Sequence, residues 1–310
     1  MNVFARLAAA SALLLAALPA VAQSKIVFQY TAVPSFLGAF VAKDEGFFQK
    51  RGLDVEMSMA STGSTIPAAI VSNSVQIGGP TPTVILQAVE GGLDIVVVAG
   101  TDVYPTSSRS GVLARPGSNI RGPQDLAGKK VGVPGFNGII DVLTRKWVQS
   151  NGLDYRKVQF VEVNFPNMGD ALKAGLVDAV SLVDPFYSRL ADAKLGTPIG
   201  DYGSVVPAGT MPIVYAADRA WVKSHPKETA AFREALDDAV AFINNPANVA
   251  RVKESLARHT KLPPQVANTL AIPTNLTNRV RPEALAFWVT LSREQGMIKG
   301  NPSPAGLIAP

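Results

Sequence analysis

Apolar positions along the chain follow two periods in turn: the period of two that marks a strand, and the three-to-four spacing that marks a helix. Helical patterns separate most of the strand-like segments up to about residue 215. The segments with strand character are Ile26–Tyr30, Leu53–Met59, Val75–Gly78, Ile95–Ala99, Gly111–Ala114, Val131–Val133, Val158–Val163, Val177–Val183 and Ile213–Ala217. This alternation predicts an α/β fold with largely parallel sheets. The unbroken apolar run at Ile95–Ala99 predicts a strand that is covered on both faces.

One strand–loop–helix unit, KKVGVPGFNGIIDVL, shows the pattern most clearly. Its strand ends at Val133, a turn of small residues follows, and a helix begins at Ile139. The first N–H groups of a helix lack intrahelical partners and lie at the positive end of its dipole, so they suit a carboxylate or sulfonate. In a single copy, the same pattern more often reflects packing of a strand against a helix. Its repetition along the chain favours a ligand-binding role.

Two of the repeated loops contain residues typical of helix starts. Ser35 precedes a helix predicted for Phe36–Lys43, and Gly46 is suited to end that helix. Thr81 precedes Pro82, the arrangement of a cap followed by proline at the first helical position. Ligands of parallel sheets bind at loops beyond the carboxyl ends of the strands. These loops are therefore the candidate binding positions.

Two irregular segments, 101–110 and 203–212, interrupt the alternation with Gly, Pro and polar residues. They predict two crossings of the chain between lobes. One lobe would comprise residues 23–106 together with 215–310, and the other residues 107–214. Amphipathic helices predicted after residue 225 would pack on the first lobe. A cleft between the two lobes is the expected ligand position.

The N-terminus has the pattern of a secretory signal peptide. A single Arg precedes an apolar run from Leu7 to Leu18, and Ala20-Val21-Ala22 is a cleavage site of the A-x-A type. Cleavage after Ala22 predicts export to the periplasm and leaves 310 − 22 = 288 residues, enough for two domains. The apolar run is too short to span a bilayer.

Composition excludes several classes of function. The chain has no Cys, which rules out disulfides, thiol catalysis and thiolate metal sites. A net charge of +5, with no basic run beyond Lys129-Lys130, does not predict nucleic-acid binding. No nucleophile elbow, H-E-x-x-H pair or phosphate-binding loop is present. We expect no catalytic residues, no metal and no cofactor. The two histidines, His225 and His259, are predicted to lie on the surface.

Four segments together resemble a known family, the substrate-binding proteins of ABC importers for nitrate, taurine, alkanesulfonates and thiamine-pyrimidine precursors. They are FVAKDEGFFQKRGLDVEM, GSTIPAAIVSNSVQIGGPTPTVILQAVEGG, DLAGKKVGVPG and FPNMGDALKAGLVDAVSLVDPF, and the resemblance covers about Ile26 to Phe186. It implies a bilobed α/β fold of the type II periplasmic-binding-protein class. In that fold two mixed or parallel sheets are joined by two crossovers, and the ligand lies between the lobes. The implied partner is an inner-membrane permease, and we expect a monomer.

Matching the family position by position gives six predicted ligand contacts, one or two in each cleft loop. They are Phe36, Thr81, Phe136, Asn137, Asn164 and Asp184. The two phenylalanines would form apolar walls, and Thr81 and Asn137 would supply polar recognition. Each residue also has a structural alternative, namely core packing for the phenylalanines and helix capping for Thr81, Asn137 and Asp184. The Gly-Phe-Asn-Gly loop departs from the Ser/Thr-rich loop of sulfonate-type members, which argues against simple sulfonates.

The leading prediction is a non-enzymatic periplasmic receptor for a small organic anion or an aromatic or heteroaromatic acid. The alternative is an enzyme of the pyrimidine-precursor synthase type on the same fold. The resemblance implies an iron site rich in His and a Cys-rich segment for such an enzyme, and neither is present here. A ligand-sensing module is a third possibility. Arg109, in the first crossing, is predicted to be either a solvated hinge residue or a partner for a ligand carboxylate.

Overall fold

The computed structural model describes residues 23–310, so the predicted signal peptide lies outside the described residues. The strands are β1 (Ser24–Tyr30), β2 (Leu53–Met59), β3 (Ile77–Gly78), β4 (Ile95–Gly100), β5 (Ser110–Ala114), β6 (Lys130–Val133), β7 (Gln159–Glu162), β8 (Ala179–Val183), β9 (Thr197–Gly200) and β10 (Val214–Asp218). The helices are α1 (Leu37–Asp44), α2 (Phe47–Lys50), α3 (Ile66–Val71), α4 (Pro82–Glu90), α5 (Ile139–Ser150), α6 (Met168–Lys173), α7 (Phe186–Asp192), α8 (Arg219–Ser224), α9 (Pro226–Ile243), α10 (Val249–Thr260), α11 (Pro264–Thr269) and α12 (Glu283–Glu294). No helix in this part of the chain is long and apolar enough to cross a membrane.

The strands form two five-stranded sheets, in the orders β2-β1-β3-β10-β4 and β7-β6-β8-β5-β9. Each sheet has four strands that run the same way and one that is antiparallel to its neighbours. The antiparallel strand is β10 in the first sheet and β5 in the second. Both are the first strands after the chain changes sheet. The predicted α/β, bilobed architecture is therefore confirmed, while the proposed lobe bounds at 106/107 and 214/215 stay a prediction.

The two crossing segments are hydrogen-bonded to each other. The backbone N–H of Tyr104 donates to the carbonyl of Thr210 over 2.8 Å, and the N–H of Gly209 donates to the carbonyl of Tyr104 over 2.8 Å. The indole Nε1–H of Trp288 donates to the carbonyl of Met211 over 2.7 Å. The crossings therefore act as one paired segment that is anchored to α12.

The core of the first lobe contains an aromatic cluster between the sheet and the helices that cover it. The ring centroids of Phe28 and Phe36 lie 5.8 Å apart, those of Phe28 and Tyr215 5.4 Å, and those of Tyr215 and Phe232 5.4 Å. Every residue of β4 is buried, as its continuous apolar run predicts. Burying one such aromatic side chain stabilises the fold by about 2–3 kcal/mol.

Helix α12 joins the first lobe to the second through two polar contacts. The Lys146 Nζ lies 2.9 Å from Glu294 Oε2, and Gln295 Nε2 donates to the carbonyl of Val142 over 2.8 Å. Lys146 and Val142 belong to α5, which covers the second sheet. These two contacts link the lobes.

Two local predictions are wrong. Helix α1 begins at Leu37, after a 3-10 turn at Pro34–Phe36, and its N-terminus has no side-chain cap, so Ser35 does not cap it. His259 is not a surface residue, because its ring stacks on Phe40 with centroids 4.8 Å apart and its Nε2 lies 3.1 Å from Asp44 Oδ1. Burial works to raise the pKa of Asp44, but hydrogen bonds and charge from its neighbours, His259 among them, outweigh it and lower that pKa.

Candidate functional site

A cavity lies where the carboxyl ends of strands from the two sheets face each other. Its walls are the loops that follow β1, β2 and β3 on one side and β6 and β7 on the other, with both crossing segments behind. The cavity has a volume of about 100 Å³. This is the position that the strand-end rule predicts for a ligand of a parallel sheet.

The cavity wall carries hydroxyl groups but no formal charge. Among the described residues that line it there is no Lys, Arg, His, Asp or Glu. The hydroxyl-bearing residues are Thr31, Ser35, Thr62, Ser64, Thr81, Tyr104, Thr106, Ser108 and Tyr202. The rest of the wall is aliphatic or aromatic side chain together with Gly and Pro. A solute in this cavity would be held by uncharged donors and acceptors and by apolar contact.

Two helix N-termini reach the cavity from opposite lobes. Thr81 is the N-cap residue of α4, and Gly138 is the N-cap residue of α5; both line the cavity. Thr81 has the predicted position, but its hydroxyl does not cap the helix and instead lies 3.1 Å from Thr83 Oγ1. Uncapped first-turn N–H groups attract negative partial charge.

The loop before α5 is fixed by a buried carboxylate. Asn137 has φ of +62°, and its backbone N–H donates to Asp141 Oδ2 over 2.7 Å. Asp141 is fully buried and pairs with Arg145 through two bonds of 2.6 and 2.9 Å. Burial raises the pKa of Asp141 although Arg145 and the N–H of Asn137 lower it. The loop conformation is thus stabilised by a carboxylate that belongs to α5.

A close approach of the two lobes explains one small residue in that loop. A Cβ atom at Gly135 would lie 2.9 Å from Thr62 Oγ1, which belongs to the first lobe. Gly135 and Thr62 both line the cavity. Glycine therefore allows the lobes to meet at this point.

Of the six predicted contact residues, Thr81 lines the cavity and the other five do not. Phe36 is fully buried in the aromatic core, beneath Gly79 rather than beside the cavity. Phe136 is 44% exposed and lies outside the lining, as does Asn137. The left-handed turn at Asn137, which Asp141 holds, leaves Pro134, Gly135 and Gly138 as the parts of the loop that reach the cavity.

The remaining two residues, Asn164 and Asp184, do not line the cavity either. Asn164 is exposed, and its neighbour Phe165 lines the cavity instead. Asp184 is 3% exposed, and its carboxylate accepts from the backbone N–H of Arg109 over 2.9 Å and from the hydroxyl of Ser188 over 2.5 Å. These two hydrogen bonds link the first crossing to α7.

Arg109 does not reach the cavity either. Its guanidinium pairs with Asp192 over 2.8 Å and lies over the ring of Tyr187. The hydrogen bond that Arg109 donates to Asp192 raises the pKa of Arg109. The side chain is half exposed, so the solvated alternative describes it better than a role in ligand pairing.

Several cavity-lining residues that sequence reasoning missed lie in or beside the crossings. Tyr104, Thr106 and Ser108 line the cavity from the first crossing, and Tyr202 does so from the segment after β9. Burial raises the pKa of Tyr104, and the charges of Asp102 and Asp201 raise it further. The sequence did offer a signal, namely the run of hydroxyl residues in the first segment that connects the lobes. A segment that connects two lobes also borders the cleft between them.

Asp102 is the buried carboxylate closest in sequence to these residues. Its side chain is 1% exposed. Burial raises its pKa to about 6, although hydrogen bonds from Ser35 and Thr101 lower it. Thr101 connects this carboxylate to the cavity, because its hydroxyl lies 3.0 Å from Asp102 Oδ1 and 2.7 Å from the carbonyl of Ile213, a lining residue.

Comparison with known proteins finds relatives over most of this chain. The family model described as NMT1/THI5 like matches residues 33–249. A Haemophilus influenzae protein that is described under thiamine biosynthesis is 30% identical over 249 residues, which are 76% of this chain and 74% of that protein. A Uromyces fabae protein named 4-amino-5-hydroxymethyl-2-methylpyrimidine phosphate synthase is 28% identical over 226 residues, 68% of this chain and 64% of that protein, so this chain spans less than two thirds of it.

Among solved structures, the alkanesulfonate-binding protein SsuA from Xanthomonas axonopodis pv. citri, bound to MOPS, superposes with a TM-score of 0.78. The alignment covers 92% of this chain and 98% of that one at 20% sequence identity. Similarity at this identity establishes the fold, which is that of bilobed binding proteins.

Proposed function

The chain belongs to the NMT1/THI5-like family, and we propose that it is the substrate-binding protein of an ABC importer. In this proposal it is exported to the periplasm and acts as a monomer. It closes on a small organic anion or aromatic acid between its lobes and delivers that ligand to an inner-membrane permease. The observation that carries the proposal is the hydroxyl-lined cavity to which both sheets contribute strand-end loops.

Recognition would come from uncharged groups on both lobes. The first-turn N–H groups of α5, the N–H of Thr83 in α4 and the hydroxyl of Thr81 would hold a partial or full negative charge on the ligand. Ile139, Leu143 and Phe165 would pack against its apolar part. Because the contacts come from both lobes, the ligand would bind the closed form better than the open form and so favour closure.

An enzyme on the same fold is the rival proposal, since one relative is named as a synthase. The groups around the cavity support binding better than chemistry. Burial raises the pKa values of the two phenols in the wall, Tyr104 and Tyr202, which keeps both neutral and poorly suited to act as bases. We therefore propose a binding role.

Two measurements test the proposal. Native mass spectrometry of protein purified without denaturation would detect a small molecule that co-purifies, and a panel of organic acids and heterocycles would then be screened by melting temperature. A ligand that raises the melting temperature of the wild type should raise that of Thr81→Val much less. Thr197→Val, on the exposed edge strand β9, is the matched control and should respond as the wild type does. If no compound binds, or if Thr81→Val responds fully, the proposed site is wrong.

A further inference from the structure

Asp102 lies directly behind the wall of the cavity. Its carboxyl group is buried in the first crossing, 3.0 Å from the hydroxyl of Thr101, and that hydroxyl lies 2.7 Å from the carbonyl of Ile213, which lines the cavity. Its charge also acts on the phenol of Tyr104, a second lining residue. One carboxyl group is therefore linked to two parts of the cavity wall.

The hydrogen bonds around Asp102 fit its protonated form. The hydroxyl oxygen of Thr101 lies 2.7 Å from the carbonyl oxygen of Ile213 and 3.0 Å from Asp102 Oδ1. A hydroxyl has one hydrogen, so it can donate fully to only one of these two acceptors. A protonated Asp102 would donate to Thr101 while Thr101 donates to Ile213, which satisfies all three groups. An ionised Asp102 competes with the carbonyl for the same hydrogen.

No counter-charge faces this carboxyl group from the elements packed against it. The titratable groups that it influences are the phenols of Tyr104, in the same crossing, and Tyr215, in β10; burial raises the pKa of each. From the 3-10 turn before α1 it faces the neutral hydroxyl of Ser35. Asp201 acts on Tyr104 and adds a further negative charge to this region. Within residues 23–310, no cation lines the cavity and none stabilises the ionised Asp102.

We propose that Asp102 determines which charge the cavity accepts. An anionic solute would enter together with one proton, taken from solvent onto the Asp102 carboxylate, so that the filled site gains no net charge. The ionised carboxylate opposes an anion and favours a neutral or cationic solute instead. This inference rests on the proposed function, because it takes the cavity to be the ligand site.

The proposal makes the charge preference of the cavity depend on pH. An anion placed near Asp102 raises the affinity of that carboxylate for a proton, by the same factor by which the proton raises the affinity for the anion. Above the pKa of Asp102, affinity for an anion therefore falls by up to about tenfold for each pH unit. Affinity for a neutral solute of similar shape changes little.

The absence of cysteine from the sequence allows a test that needs no known ligand. Ser108→Cys places a single thiol in the cavity wall, and Ser303→Cys places one on the exposed surface as a control. Each protein is treated with two alkylthiosulfonates of similar size, one cationic and one anionic. The ratio of their modification rates reports the local potential, because the thiolate fraction cancels in that ratio.

We expect the cationic reagent to be favoured at pH 8 in Ser108→Cys, and the preference to fall at pH 5. Adding Asp102→Asn should remove the pH dependence and lower the rate ratio at pH 8 by about two orders of magnitude. A unit charge about 10 Å away, at an effective permittivity of about 20, changes the two rates by about tenfold each and in opposite directions. The Ser303→Cys protein should show no effect of Asp102→Asn. The pH series on Ser108→Cys alone provides the second measurement if the double variant does not fold.

The outcomes separate this inference from the proposed function. Equal rate ratios with and without Asp102→Asn, or a ratio that does not change with pH, would overturn the inference and leave the receptor role intact. A cavity thiol that neither reagent modifies under native conditions would contradict both, because no solute could then reach the site.

Discussion

Replacing Asp102 by Asn should make the protein more stable at neutral and alkaline pH. A carboxyl group whose pKa is higher in the folded than in the unfolded chain binds protons more tightly when folded. The folded value is about 6, raised by burial, and the unfolded value is about 3.9. The stabilisation from this proton is fully present below about pH 4 and is lost as pH rises through 6.

The size of the effect follows from the two pKa values. A difference of about two units at about 1.4 kcal/mol per unit gives about 3 kcal/mol of stability lost by pH 8. Asn keeps the shape and the hydrogen bonding of a protonated carboxyl group but cannot ionise. Asp102→Asn should therefore match the wild type near pH 4 and exceed its free energy of unfolding by up to about 3 kcal/mol at pH 8.

Urea denaturation of the wild type and of Asp102→Asn at intervals from pH 4 to pH 8 measures this difference. Other groups titrate in the same range, but their contributions cancel in the difference between the two proteins. Asp237→Asn, on the exposed side of α9, is the matched control and should show no such trend. A difference between wild type and Asp102→Asn that stays constant with pH would refute the reasoning.

The other predictions concern the packing that shapes the site. Asp141→Ala should lower the free energy of unfolding by about 3–5 kcal/mol in urea denaturation, because it leaves the partly buried guanidinium of Arg145 and the N–H of Asn137 without their acceptor; a loss below 1 kcal/mol would contradict this. Gly200→Ala should cost about 1–3 kcal/mol in the same assay, since its Cβ would overlap the ring of Trp147. Lys146→Met removes a half-exposed ion pair with Glu294 between the lobes. It should weaken closure by at most about 1 kcal/mol, seen as a larger radius of gyration in X-ray scattering; an unchanged radius together with unchanged ligand affinity would argue against it.

The fold could be predicted because its signals are local and repeated. The strand pattern locates nine of the ten strands in the described residues and misses β9, and the unbroken apolar run at Ile95–Ala99 indicates the strand that is buried on both faces. The crossings are visible as irregular segments: the first is polar with one proline, and the second is rich in Gly and Pro. The order of the strands within each sheet could not be predicted. No local pattern indicates that β10 lies between β3 and β4, because pairing between distant segments depends on how the lobes pack.

The site was predicted at the level of loops but less well at the level of side chains. The strand ends and helix starts do surround the cavity. Asn137, whose backbone N–H donates to Asp141, nevertheless lies outside the lining, and the carboxylate of Asp184 accepts from the backbone N–H of Arg109. Their chemistry suits ligand contact, but whether a polar side chain faces a cavity or a nearby N–H depends on a few degrees of backbone rotation. Phe36 illustrates the same limit for apolar groups, because one turn of 3-10 helix carries its ring into the core.

Within the described residues, no charged side chain lines the cavity, so a charged ligand would have to be stabilised by other groups. If the ligand is an anion, its charge must be offset by oriented dipoles from the starts of α4 and α5, each of which supplies only about half a unit charge. A carboxylate behind the wall works against those dipoles when it is ionised and leaves them unopposed when it is protonated. The protonation state of Asp102 therefore decides whether two helix N-termini are sufficient to hold an anion, which links the stability measurement on this residue to the ligand that the protein can carry.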